Sequence, residues 1–445
     1  MGTFANGQDS IAVSSIQING NLKTKDFIIE KELTFKIGDR ISRSDFEKTH
    51  KPKSIANLQN TTLFNFIEIK DSASVIIISV IERWYFWPTF TLENADRNFN
   101  NWWKDKNFNH LSFGVFLELK NFRGRNETIR FKGQVGFEQE LGFSYFTPYL
   151  SKNGRTGASI GAGYKTNREV VYGSIDNKQL FYSSEIGKNG REWIEAHFGI
   201  HHRSSLNNTH ILRTEYNNIT IEDSITHYSE DYLKNNQTST NFFSLSYQFK
   251  HERRDNVAYP LKGHTLQAGL KKTGFGLLQN ENLNLLESSL RADIHIPLKY
   301  RFYWSSGFKA KWNFLDNPPY ALQEGLGYTF FTRGYEYYVM DAQSYYLFQS
   351  NLKFNILKKK NININLVNHA GLQKFFLASY MNVFLDLGRA NDALYAEFNS
   401  LSNKLIGGYG IGLDFISTYD LVFRIETTRN FEGENGVYLH FTKAI

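Results

Sequence analysis

The sequence predicts a mainly β protein, a transmembrane antiparallel β-barrel of about 16 strands preceded by one small α+β domain. Three observations point there. Aromatic residues make up 16% of the 445-residue chain, with 38 Phe and 25 Tyr, yet its mean hydropathy is −0.44. An ordinary packed core would not leave so aromatic a chain so hydrophilic, whereas a barrel that is apolar outside and polar inside does. Most of the chain alternates apolar and polar residues with a period of two, and only its front mixes helical and strand patterns.

Composition narrows the function classes. No stretch approaches the length of apolar run that a membrane-spanning helix needs. The net charge of +7 is spread along the chain without a block of one sign, so nothing beyond charge argues for nucleic acid and none is expected as a partner. The absence of Cys excludes disulfide frameworks and thiol chemistry. Residues 1–10 have neither a basic nor an apolar export segment and are expected to be a leader remnant.

The front region, residues 11–83, reads β-α-α-β-β. Ile11, Val13, Ile16 and Ile18 form a strand that ends at Asn19-Gly20-Asn21. Thr24 is placed to N-cap a helix whose apolar stripe is Phe27, Ile28, Ile29 and Leu33. Ser44 and Glu47 resemble a capping box opening a second helix, which Pro52 interrupts or restarts. Residues 66–71 and 74–82 follow as two strands. Such a small sheet, with helices on one face, leaves an edge free to accept an added strand.

The rear region, residues 84–445, switches to period two. Leu111, Phe113, Val115, Leu117 and Leu119 alternate with smaller or polar neighbours, and Leu421-Val422-Phe423-Arg424-Ile425-Glu426 repeats the pattern near the C-terminus. In hydrocarbon such a sheet must close, because an open edge leaves backbone groups unpaired. About 360 residues at roughly 22 per strand and connection gives about 16 strands. Thr332-Arg333-Gly334-Tyr335 stands out as an Arg-Gly pair in a long loop, for which a plain barrel has no structural use.

These segments resemble a known family. Ile16-Gln17-Ile18-Asn19-Gly20-Asn21, Ile37-Gly38-Asp39 and Val80-Ile81-Glu82-Arg83 look like a POTRA domain. Asp255-Asn256 with Pro260 and Gly263, the loop Thr332–Tyr335, and Phe384-Leu385-Asp386-Leu387-Gly388 resemble the barrel of the BamA/TamA-type outer-membrane assembly superfamily, the bacterial surface antigen family. The resemblance implies a loop folded into the barrel, with Arg333 paired to Asp386 on the wall. A guanidinium fork matches a carboxylate two-pronged, and Gly334 permits a backbone other residues resist. Thr332 stands where the family's loop has Val. Tyr438, Leu439 and Phe441 resemble a last strand that serves as an assembly signal, although the chain ends in Ile445 instead of an aromatic.

Other constellations favour structural readings. Gly157-Ala158-Ser159-Ile160-Gly161 matches a hydrolase elbow, but its small residues alternate along one strand with no helix after them. His197 and His201 lie four apart on a strand, about 13 Å, too far to share one metal ion. His251-Glu252-Arg253-Arg254 reads as a solvated loop or lumen face.

The resemblance implies a non-enzymatic protein without cofactor, in the bacterial outer membrane with its POTRA domain in the periplasm. It would insert client proteins or translocate them, by POTRA capture and strand pairing where the first barrel strand, near residues 85–93, meets the last. A dedicated two-partner-type secretion transporter and a passive or gated pore with a docking module are the alternatives. Expected partners are unfolded outer-membrane or secreted clients, periplasmic or lipoprotein accessory factors, and the bilayer.

Overall fold

The computed structural model describes residues 10–443 except 73, 95–110, 152–153, 280, 315–317 and 364–369. The expected leader remnant, apart from Ser10, and Ile445 lie outside the described residues.

The front domain runs β1 (Ser10–Ala12), β2 (Ser15–Asn19), α1 (Asp26–Glu30), β3 (Arg40–Ser42), α2 (Lys51–Asn60), β4 (Phe64–Ser72) and β5 (Val75–Glu82). Its sheet is ordered β2-β5-β4, with β2 parallel and β4 antiparallel to β5, while β1 pairs separately with β3. The one strand expected from Ile11 to Ile18 is therefore two. It breaks where the Val13 N–H turns to the Asp39 carbonyl and the Ser14 N–H to that of Ser74. The helical face closes a core of Ile28, Ile29, Phe46, Leu58, Ile76 and Ile78.

Both helix starts differ from the sequence reading. Helix α1 begins after Lys25, while the Thr24 hydroxyl is drawn 2.5 Å from Glu82 on β5. Ser42, not Ser44, accepts the Asp45 N–H at 3.1 Å and opens the second helical run. Pro52 lacks the N–H for an ordinary helical ladder, and it follows a π-helical stretch, Phe46–His50, in the first turn of α2.

Sixteen strands then form one antiparallel sheet. They are β6 (Phe86–Asn94), β7 (Leu111–Phe122), β8 (Glu127–Gly136), β9 (Glu138–Thr147) and β10 (Thr156–Asn167), followed after a separate hairpin, β11 (Glu169–Ile175) and β12 (Lys178–Ser183), by β13 (Arg191–Arg203). Next come β14 (Asn208–Ile221), β15 (Ser239–Glu252), β16 (Gly263–Thr273), β17 (Leu285–Pro297), β18 (Phe302–Asn313) and β19 (Ser344–Asn363). The last four are β20 (Lys374–Asn391), β21 (Ile406–Ser417), β22 (Leu421–Asn430) and β23 (Asn435–Lys443). Along β20, Met381, Val383 and Leu385 point out and are exposed, while Asn382, Phe384 and Asp386 are buried inside. That alternation is the barrel rule of apolar outside and polar inside.

The sheet curls until its ends approach each other. Trp87, at the head of β6, packs edge-on against Tyr419 in the β21–β22 turn with ring centroids 4.9 Å apart. Beside it Arg83 clasps Asp420 at 2.6 and 3.2 Å. Among the described residues the hydrogen-bonded order stops at β6 on one side and β23 on the other.

The register explains why the base of β6 resists pairing. The Lys120 backbone N–H donates to the Tyr85 carbonyl at 2.8 Å, and bonding alternates along an antiparallel pair. Trp87 and Thr89 thus turn their backbone groups to β7, and Phe86, Pro88 and Phe90 turn theirs to the seam. The Phe86 carbonyl is taken by the Trp84 indole, and Pro88 has no N–H to offer. Both are devices that blunt a strand edge.

Candidate functional site

The site grows from the connection between β18 and β19. Its residues 326–340 make a compact turn in which Leu326 bridges Phe330 and Met340. From this turn Arg333 reaches the inner wall. Its Nε donates to Asp386 Oδ2 at 2.8 Å and its Nη2 to Asp386 Oδ1 at 2.5 Å. Its Nη1 donates to Glu426 on β22 at 3.0 Å and to Asn351 on β19 at 2.9 Å. The guanidinium carbon lies 3.7 Å above the ring of Phe384. Arg333 is 4% exposed, and Asp386 and Glu426 are fully buried. In such a place the pairing must be satisfied, because a buried charge left alone is expensive.

Glycines make the close approach possible. Gly334 has φ +92°, a left-handed backbone that suits glycine, and its carbonyl accepts from Asn430 Nδ2 at 3.0 Å. A Cβ on Gly408 of β21 would sit 1.8 Å from the Arg333 carbonyl oxygen. One on Gly388 would meet the Thr332 hydroxyl at 2.3 Å. Thr332 and Tyr335 are both fully buried, so the whole four-residue segment is seated in the wall.

Residues 121–426 match the Omp85 superfamily domain, and residues 11–80 match POTRA, the surface antigen variable number repeat. The chain belongs to the Omp85 superfamily. Its fold is similar to that of BamA from Haemophilus ducreyi lacking POTRA domains 1–3, with 14% identity and a TM-score of 0.55 over 97% of this chain and 84% of that one. It is also similar to CdiB from Escherichia coli, with 13% identity and a TM-score of 0.56 over 98% and 77%. No curated protein sequence matches significantly. Omp85 membership supports an outer-membrane insertion or secretion role, and members are transporters or insertases, not enzymes. The family and fold indicate the bacterial outer membrane with the POTRA domain in the periplasm.

The POTRA domain of this Omp85 protein docks on the barrel's periplasmic rim. Arg203 at the end of β13 holds Glu32 at 2.5 and 2.8 Å, and the Tyr149 hydroxyl also donates to Glu32 at 3.4 Å. Burial pushes the Tyr149 hydroxyl well above its usual titration range, so it stays a donor. Asn65 donates to the carbonyl of Gly371 at 2.8 Å, and Asn121 to the Thr24 hydroxyl at 2.8 Å.

The Asp255-Asn256 segment forms the β15–β16 turn. The Asp255 carboxylate accepts the N–H groups of Asn256, Leu261 and Lys262 at 2.9, 3.0 and 3.2 Å. Pro260 lies inside this turn, and Gly263, with φ +103°, starts β16. The segment is not in contact with Arg333 but reaches the same wall lower down, where Tyr259 donates to Asp414 at 2.6 Å. In β23, Tyr438 is buried against Tyr337 of the loop, with centroids 5.6 Å apart, whereas Leu439 and Phe441 face outward.

Sequence reasoning missed Glu426, Asp414, Gly408 and His440 as members of this wall. His440 on β23 stacks on Phe331 and lies 3.7 Å from Glu336 and 3.5 Å from Glu426. The signal for Glu426 was present, since it alternates with Ile425 as an inward charge. Gly157, Ser159 and Gly161 lie on β10 as strand residues, and His201 bonds Ser159 at 2.9 Å.

Proposed function

We propose that this protein inserts client proteins into the outer membrane, or passes them across it, by POTRA capture and strand pairing at the junction of β6 and β23. The observation that carries the reading is the pair of sheet edges that share no ladder among the described residues, set beside a loop seated in the adjoining wall. Main-chain pairing at such an edge supplies affinity that tolerates many sequences, and alternate side chains supply selectivity. The outer side of β2, which pairs with no strand among the described residues, is the corresponding capture edge in the POTRA domain. The loop, held by Arg333 on Asp386 and Glu426, is the latch that sets whether the wall next to β23 is rigid.

The test uses the absence of native cysteine. Phe90→Cys with Leu439→Cys joins the two edges by a disulfide that a reductant releases. Client assembly or secretion should stop when they are joined and resume on reduction; equal activity in both states rejects edge pairing. Depletion then sorts the alternatives. Broad loss of outer-membrane proteins marks an insertase, loss of one secreted protein a dedicated transporter, and lost permeability alone a pore.

A further inference from the structure

A line of buried and half-buried polar contacts runs from the POTRA domain to the loop. It begins at Asn60 at the end of α2. The Asn60 side chain donates to the Arg254 carbonyl at 3.0 Å and accepts the Val257 N–H at 3.1 Å, which ties the domain to the β15–β16 turn. Two residues on, Tyr259 is 7% exposed and its hydroxyl donates to Asp414 Oδ2 at 2.6 Å. Arg424 grips Asp414 at 2.6 and 3.2 Å, and its Nε lies 3.6 Å from Glu426 Oε1. Arg333 Nη1 rests on that same Oε1 at 3.0 Å. From Tyr259 onward each member meets the next at a shared carboxylate, and Asn60 is joined to Tyr259 through the backbone of the turn.

We propose that Tyr259 couples docking of the POTRA domain to seating of the Arg333 loop. Tyr259 plays two parts. Its hydroxyl is a donor to Asp414, and its ring packs on Tyr380 with centroids 5.1 Å apart, with Lys353 Nζ of β19 4.1 Å from the ring centroid. Electrostatic pairs in a dry interior are strong and mutually dependent. When the domain leaves the rim, the turn loses Asn60 and Tyr259 withdraws. Asp414 then loses one of its donors, and its hold on Arg424, whose side chain is already 27% exposed, loosens. The grip on Arg333 weakens although nothing has touched the loop. The coupling runs both ways: a loop lifted from the wall loosens the turn and the domain on it.

Lines of contact become evidence of coupling only when two sites are shown to depend on each other. The experiment is hydrogen exchange of residues 326–340 in the full chain in lipid nanodiscs, for the parent protein, Asn60→Ala, Tyr259→Phe and the double variant. Phenylalanine keeps the ring against Tyr380 and Lys353, and a folded barrel is checked by heat-modifiable gel mobility. Tyr259→Phe should speed exchange by about tenfold, the effect of one hydrogen bond to a charged group, and Asn60→Ala by about fivefold, the effect of a bond between neutral groups. The double variant should add less than threefold beyond the larger single effect, because both changes break one line. Unchanged exchange in Tyr259→Phe, or effects that multiply in the double variant, overturns the proposal. The readout is the loop, not a client, so a protein that fails the edge-joining test can still show this coupling.

Discussion

Arg203, the last residue of β13, closes on Glu32 of the POTRA domain with both guanidinium prongs, although the two are 171 positions apart in sequence. Glu32 is 3% exposed, so this pair stands where the domain meets the barrel and where water is scarce. Arg203→Ala should leave Glu32 buried with, among the described residues, the Tyr149 hydroxyl as its remaining side-chain hydrogen-bond donor. A loss of about 2 kcal/mol in docking is expected, below the figure for a fully dry pair because Arg203 keeps part of its side chain in water. Spin labels on Leu22, which is 95% exposed, and on the barrel rim should report a broader distance distribution. An unchanged distribution refutes the docking role.

Arg333 supports a sharper substitution series. Arg333→Ala should give a folded barrel with a displaced loop, since about 3–5 kcal/mol is lost when one partner of a buried pair is removed. Arg333→Lys should rescue poorly, because an ammonium cannot span both oxygens of Asp386 while also reaching Glu426. The loop's protease sensitivity measures the first claim and client processing the second. Full activity in Arg333→Ala would sink both.

Gly408 tests whether closeness of backbones matters apart from charge. Gly408→Val leaves every ionic partner in place, yet its Cβ would overlap the Arg333 carbonyl oxygen. It should unseat the loop as fully as Arg333→Ala does, with a barrel that still folds. Equal protection of residues 326–340 in parent and variant would show that the wall yields there.

Pro88 makes a prediction of the opposite sign. Pro88→Val restores an N–H that faces the seam and offers it to β23. Edge pairing should then strengthen by about 1 kcal/mol, disulfide joining of Phe90→Cys to Leu439→Cys should speed up, and client assembly should slow. Slower joining, or faster assembly, contradicts a blunted edge.

The barrel was legible because period-two alternation is a local property, and a strand count needs only chain length. The front domain was legible in type but not in detail. Thr24 looked like an N-cap, yet its hydroxyl found Glu82 across the fold, and no local pattern announces a partner 58 residues away. Arg333 and Asp386 came together in the reading through resemblance, not through spacing. Glu426 could be given its inward direction from Ile425 and Arg424, but which loop it meets depends on how far the wall curls. Glu32 with Arg203, and Tyr259 with Asp414, were invisible for the same reason. Each joins elements whose separation in space is set by closure of the whole sheet.

Among the described residues, Trp87 on Tyr419 and Arg83 on Asp420 fasten the start of β6 to the β21–β22 turn near the far edge of the sheet, at its periplasmic end. Edges fastened at one end part as scissor blades do, pivoting there and spreading toward the outer leaflet. The gap between β6 and β23 would therefore be a wedge, narrow at the pivot, where Pro88 and the Trp84 indole already discourage pairing. A hairpin growing in that wedge has its room at the outer leaflet, and the angle of the blades limits how many residues it can add before the barrel must either widen at the pivot or let it go.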